Sequence, residues 1–157
     1  MHIKHTFPAL IILSLSACDA EKASSAAVTK SAKGVEITIK EVEVSQNISM
    51  IGLVPDAPAG STYVHVTYAL KNTSKVAMSI DKWPQPRLTD PAGHTFEPEM
   101  FSSTALSAAS NAGWAENLNP NLTTDAQLVW KVDEKSFDRS KWKLTFLSKP
   151  TLKFDLK

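Results

Sequence analysis

The sequence predicts an all-β domain, an immunoglobulin-like antiparallel β-sandwich of seven or eight strands, on three observations. Apolar residues recur at every second position in segment after segment, the spacing that lays one face of a strand on a core. Clusters of Asn, Pro, Gly, Ser and Asp separate those segments, as turns separate strands. No stretch shows the three-to-four spacing of a long amphipathic helix. Many short strands between turns favour two packed antiparallel sheets.

Along the chain, residues 1–17 read first as an export signal. Lys4, His2 and His5 make a weakly positive start, and residues 7–15 are apolar. That run is far shorter than the ~20 residues of a membrane-spanning helix. It closes on Leu15-Ser16-Ala17-Cys18, which resembles the lipobox of bacterial lipoproteins. The resemblance implies cleavage before Cys18 and a thiol that receives diacylglycerol. Cys18 is the single cysteine of the chain, so no intrachain disulfide competes for it. Acylation there exceeds the two-signal threshold for stable anchoring. Asp19 follows directly and resembles the inner-membrane retention signal of enterobacterial lipoproteins. It implies the periplasmic face of the inner membrane, with the outer membrane as the alternative.

Residues 19–33 are small, polar and charged, with Val28 as their one larger apolar residue. Such a segment buries too little surface to offset its ordering entropy. Residues 18–33 are therefore expected to be the lipidated cysteine and a disordered tether, reaching about 20 Å. The sandwich domain is expected over residues 34–157.

From Gly34 the period becomes two. Val35, Ile37 and Ile39 share one face, and Val42 and Val44 continue on the opposite parity. A slip of one residue at Lys40-Glu41 predicts a β-bulge. Val64, Val66, Tyr68 and Leu70 form the clearest inward face, with His65 and Thr67 outward, and Asn72-Thr73-Ser74 supplies a turn. A short strand follows over residues 76–80. Trp83-Pro84-Gln85-Pro86 is stiff, and its prolines exclude it from a central strand. Residues 87–97 read as a hairpin turning at Asp90-Pro91-Ala92-Gly93. Residues 98–121 are least regular, with a helical turn near 104–109 and a strand near 114–118. Ala126, Leu128, Trp130 and Val132 face inward next. Trp142, Leu144 and Phe146 form another inward face, and Leu152, Phe154 and Leu156 the last.

The run Tyr63-Val-His-Val-Thr-Tyr-Ala-Leu-Lys-Asn72, with Ile80, residues 90–96, Leu118-Asn-Pro120 and Leu128-Val-Trp-Lys-Val132, resembles a family of exported bacterial proteins of unknown function. That family is grouped with telokin-like and mycobacterial immunoprotective-antigen sandwiches. The resemblance covers about residues 35–146 and implies a fold, not an activity. Asn121 stands where the family usually has Gly, and Asn tolerates the left-handed backbone such a turn needs.

The chain carries 17 Lys+Arg and 16 Asp+Glu. Removal of residues 1–17 takes away Lys4 and no acid. A balanced chain with scattered lysines lacks the basic footprint of a nucleic-acid binder. His94 with Asp90, Glu97 or Glu99 lacks the spacing of a closed metal site. Met50, Met78 and Met100 would suit Cu(I), but no His-Met pairing accompanies them and Met commonly fills gaps in cores. No nucleophile elbow is present. No cofactor and no catalytic residue are expected. The Asn-x-Ser/Thr triplets at Asn47, Asn72 and Asn121 read as polar turns.

Surface recognition remains. Trp83, Phe101 and Trp114 lie outside the alternating faces and are the expected partner-contacting residues, unless they cap the open end of the sandwich. The expected role is a non-enzymatic binding or accessory module of the cell envelope, monomeric and held to the membrane by its N-terminal lipid. It would contact an envelope protein or a cell-wall partner. The alternative is a periplasmic carrier of a small ligand or of copper.

Overall fold

The computed structural model describes residues 27–47, 56–100, 103 and 117–156. Ten strands lie among them: β1 (Val28–Ala32), β2 (Val35–Ser45), β3 (Ser61–Asn72), β4 (Met78–Ser79), β5 (Gln85–Thr89), β6 (Thr95–Phe96), β7 (Asn117–Leu118), β8 (Thr123–Asp133), β9 (Lys143–Leu147) and β10 (Leu152–Asp155). All pairings are antiparallel. One sheet has the order β1-β2-β3-β8 and the other β10-β9-β5-β6, while β4 and β7 form a two-stranded ribbon. The expected antiparallel β-sandwich is what the chain forms, with ten strands among the described residues rather than seven or eight, because β1 and the two-residue strands β4, β6 and β7 add to the count.

Most of the inward faces are those the alternation predicts, though Val44 is exposed and Ala126 and Leu128 are only half-buried. Val35, Ile37, Ile39, Val42, Val64, Val66, Tyr68, Leu70, Trp130, Val132, Trp142, Leu144, Phe146, Leu152, Phe154 and Leu156 are all buried. The parity slip is a true register shift. Ile39 faces Tyr68 and Glu41 faces the next residue, Thr67, which leaves Lys40 as the extra residue of a bulge. Lys40 spans the outside of β3 to reach Asp125 on β8 at 2.6 Å. The position it crosses is small Ala69, which pairs Thr38 on one side and Asp125 on the other.

Two expectations need correction. Val28–Ala32, assigned above to the tether, is a strand in full register with Val35–Ile39 of β2. Its polar composition suits an edge strand, where an inward charge blunts further pairing. Lys30 lies on the core-facing side opposite Ile37, sits 5.2 Å from the centre of the Phe154 ring and donates to the Lys153 carbonyl of β10. Lys30 thereby closes one long side of the sandwich. The second correction is Gln85-Pro86, which lies in β5, an interior strand of its sheet. Pro86 is tolerated because β6 pairs only with Leu88 and Thr89. Beside Pro86 the outer edge of β5 has no partner strand among the described residues, so no ladder hydrogen bond to one is lost there.

The other long side is closed by Trp130, whose indole Nε1 donates to the Phe96 carbonyl at 3.0 Å. Beyond Phe96 the chain runs along the free edge of β8. Glu99 N donates to Val129 O at 2.7 Å, and Val129 N donates to the buried Ser103 hydroxyl at 3.1 Å. This edge cover explains why Val129 is buried although it points away from the core. The beginning of the irregular segment is thus structural, and the helical turn expected at 104–109 lies outside the described residues.

Trp142 is held by the turn before β9. Asp138 accepts from the Ser140 hydroxyl at 2.6 Å and the Ser140 amide at 3.0 Å, and pairs with Lys141 at 2.9 Å. The Ser140 hydroxyl and the Lys141 ammonium pull its pKa from 3.8 down to about 2. A carboxylate lowered on folding stabilises the folded state above its ordinary pKa, and that share is lost as pH falls through the lowered value. An NMR titration should place the Asp138 midpoint near pH 2. A midpoint at the ordinary aspartate value would mean that these bonds do not persist in solution.

Candidate contact surface at one end of the sandwich

Strand registers assign the described turns between paired strands to one of two ends. Val35 faces Asn72, Thr123 faces Lys71, and Gln85 faces Leu147. The turns at 33–34, 73–84, 119–122 and 148–151 therefore crowd one end. Backbone bonds tie them together: Thr73 N to Gly34 O at 3.0 Å, Asn121 N to Asn72 O at 2.8 Å, and Lys33 N to Lys149 O at 3.3 Å. The opposite end carries the 90–94 and 134–142 turns, whereas β1 starts part-way along β2 at Val28 and runs to the first end at Ala32.

Asn72 is the hub of the first end. It is fully buried, and each polar atom of its side chain is used. Nδ2 donates to Val76 O at 2.8 Å and Leu118 O at 2.7 Å. Oδ1 accepts from the Ser74 amide at 2.9 Å and the Ser74 hydroxyl at 2.7 Å. The side chain thus fixes both strands of the β4–β7 ribbon over the end of the core. The next turn uses Asn119-Pro120-Asn121-Leu122, with Leu122 N donating to Asn119 O at 3.1 Å. Asn121 has φ 64°, the left-handed backbone anticipated for it. Proline followed by a residue of positive φ is type II turn chemistry.

On this frame the outward side chains are of two kinds. Val76 is 69 % exposed, Leu122 54 % and Leu147 51 %, with Ile80 also exposed. Lys33, Lys75, Lys82 and Lys149 stand among them, all exposed, and Asp81 is the one acid in these four turns. The Trp83 amide donates to Ile80 O at 3.1 Å in the tight turn Ile80–Lys82. The other end mixes acids and bases in its turns, and two pairs meet there: Asp90 with His94 at 2.8 Å and Asp138 with Lys141 at 2.9 Å.

The residues singled out from the sequence fall unevenly on this geometry. Trp83 is at the crowded end, but its ring is half-buried against the core, and its Nε1 is buried without a hydrogen-bond partner. It caps the sandwich rather than projecting from it. Phe101, Trp114 and Cys18 lie outside the described residues. Of the acids weighed around His94, Asp90 pairs with it at 2.8 Å, while Glu97 goes to Arg87 at 2.9 Å and Glu99 to Lys131 at 3.2 Å. Met78 packs on the core and Met100 is exposed. The surface lysines and aliphatics were missed in the sequence. Their signal was a lysine in three of the four turns at one end, visible only once pairing places those turns together.

The comparisons with known proteins agree on the fold. The uncharacterized protein YxkC of Bacillus subtilis (strain 168) is 26 % identical over 134 residues, covering 83 % of this chain and 74 % of that protein. A conserved hypothetical protein from Bacillus anthracis superposes with a TM-score of 0.69 at 14 % identity, over 83 % of this chain and 92 % of that one. An uncharacterized β-sandwich protein from Clostridium difficile 630 gives 0.52 at 13 % identity, over 85 % and 93 %. A Bacillus subtilis protein, ycdA, described as a candidate lipoprotein, gives 0.52 at 17 % identity, over 83 % of this chain and 39 % of that one. Residues 27–152 match the model of one family, and its first residue stands next to the first residue of β1. The chain belongs to that family, described as Domain of unknown function (DUF4352).

Proposed function

We propose that this protein is a lipid-anchored envelope lipoprotein whose sandwich serves as a non-catalytic binding or accessory module. The observation that carries the proposal is Leu15-Ser16-Ala17-Cys18 with the chain's single cysteine at its end. The likeness to ycdA, itself described as a candidate lipoprotein, supports it. So does the commitment of the described polar groups to structure: Asn72 to the ribbon, Asp138 to the β9 turn, and Glu97 and Glu99 to ion pairs. In this reading Asp19 retains the protein at the periplasmic face of the inner membrane, and the domain acts as a monomer towards an envelope partner. The grouping with telokin-like and immunoprotective-antigen sandwiches is part of the same proposal.

Cys18→Ser should abolish acylation and leave the precursor uncut by the lipoprotein peptidase. Labelled palmitate and the size of the band report both. Full palmitate incorporation in the Cys18→Ser chain would defeat the anchor.

A further inference from the structure

We infer that the end of the sandwich built from residues 33–34, 73–84, 119–122 and 147–151 docks on an anionic phospholipid surface. Two features coincide there. Lys33, Lys75, Lys82 and Lys149 are exposed, and none has a carboxylate within ion-pair distance among the described residues, while the four turns hold a single acid, Asp81. Interleaved with them, Val76, Leu122 and Leu147 each expose more than half of their surface.

The combination discriminates between occupants. A purely ionic polymer would use the lysines and leave the aliphatics in water. A protein partner would use the aliphatics, but lysine is depleted in the cores of protein interfaces. A bilayer with acidic headgroups uses both, because lysines lie at the headgroup level while short apolar side chains sink below it. Each lysine near an anionic leaflet strengthens association roughly fivefold.

The tips are also mechanically suited to this. The Asn72 amide and the bonds among Gly34, Thr73, Asn121 and Lys149 hold the loops in place before any contact. Little ordering entropy is then lost on binding. The surface does not depend on acylation, but the two are compatible if the lipid anchor proposed above is present. Val28 lies opposite Ile39, part-way along β2, and the five residues of β1 cover only about 15 Å to the docking end. The segment from Cys18 to Val28 can extend to roughly 30 Å. One membrane can therefore hold both the acyl chains and the lysine-bearing tips, and the domain would then stand on that end.

The test uses the mature chain from residue 18 carrying Cys18→Ser, so that no acyl group contributes. It is sedimented with vesicles of phosphatidylcholine alone or with one-third phosphatidylglycerol. Binding should require phosphatidylglycerol and fall with salt. Lys75→Glu with Lys82→Glu should weaken it at least tenfold, and Val76→Ser with Leu122→Ser should weaken it several-fold. Neither double variant should shift the thermal midpoint, since all four side chains are exposed. Equal sedimentation with both vesicle types, or an undiminished lysine variant, would overturn the docking surface. An undiminished aliphatic variant would overturn the bilayer as its occupant. Because the probe lacks Cys18, failure here leaves the palmitate result standing, and the reverse also holds.

Discussion

Asn72→Leu is expected to destabilise the fold by about 3–5 kcal/mol, several of its unmade bonds costing about 1–3 kcal/mol each. The side chain makes two donor and two acceptor bonds in a fully buried setting. Removing it leaves the Val76 and Leu118 carbonyls and the Ser74 amide without that partner, and Leu cannot replace any of them. The loss should concentrate at the β4–β7 ribbon, so hydrogen exchange at 76–79 and 117–118 should accelerate more than exchange in β2 and β3. Asn72→Asp separates the two halves of the amide. It keeps the acceptor for Ser74 but turns a second oxygen towards two carbonyls. It should be at least as damaging as Leu at neutral pH. An aspartate variant with native stability would show that the two donated bonds contribute nothing.

Trp130→Ala should cost about 3–5 kcal/mol, the usual range for a large aromatic truncated in a core. Trp130 is fully buried, and its ring spans the gap between the sheets to bond the Phe96 carbonyl. Two effects therefore coincide, a cavity beside Val64, its cross-strand partner on β3, and an unbonded carbonyl on the short edge strand β6. Against a typical total of 5–15 kcal/mol this loss is large, and the thermal midpoint should fall by about 10–20 °C. Trp130→Phe refills much of the cavity without the N–H and should recover most of the deficit. If Phe were no better than Ala, the bond to Phe96 rather than the ring would be what matters.

The strand faces were legible because burial on one side leaves a period of two. At β3 the inward Val64, Val66, Tyr68 and Leu70 came out in full, and at β2 the change of parity located the bulge at Lys40. Strand β1 was not legible. A five-residue edge strand whose inward face is Val28, Lys30 and Ala32 looks like a tether in composition, because the Phe154 ring that Lys30 lies over is 124 residues away in the chain. The β5 segment failed for a related reason. A proline rule for central strands assumes partners along both edges, and the short β6 supplies none beside Pro86. Asn72 was read as a turn residue, and its role as a buried hub depends on Leu118, 46 positions on.

The candidate site shows the same limit. Loop aromatics can be picked out in a sequence, but whether a ring projects or caps depends on what lies beneath it. Trp83 caps. The lysines of the docking end are separated by as many as 116 positions, from Lys33 to Lys149, and each alone is an ordinary solvated side chain.

The pairing of β1 also has a mechanical consequence. Any force on the segment before Val28 reaches the domain through the five cross-strand pairs of β1 and the Lys30 contact to β10. Load on this strand is borne at the border of the fold, far from Trp130 and Trp142. A pull strong enough to strip β1 would bare the edge of β2, with Val35, Ile37 and Ile39 alternating along it, while the rest of the core stayed closed. An edge of that kind accepts a strand from a second molecule. Under load, then, β1 is where the fold would yield first, and the edge it leaves is the one that could pair with a second copy.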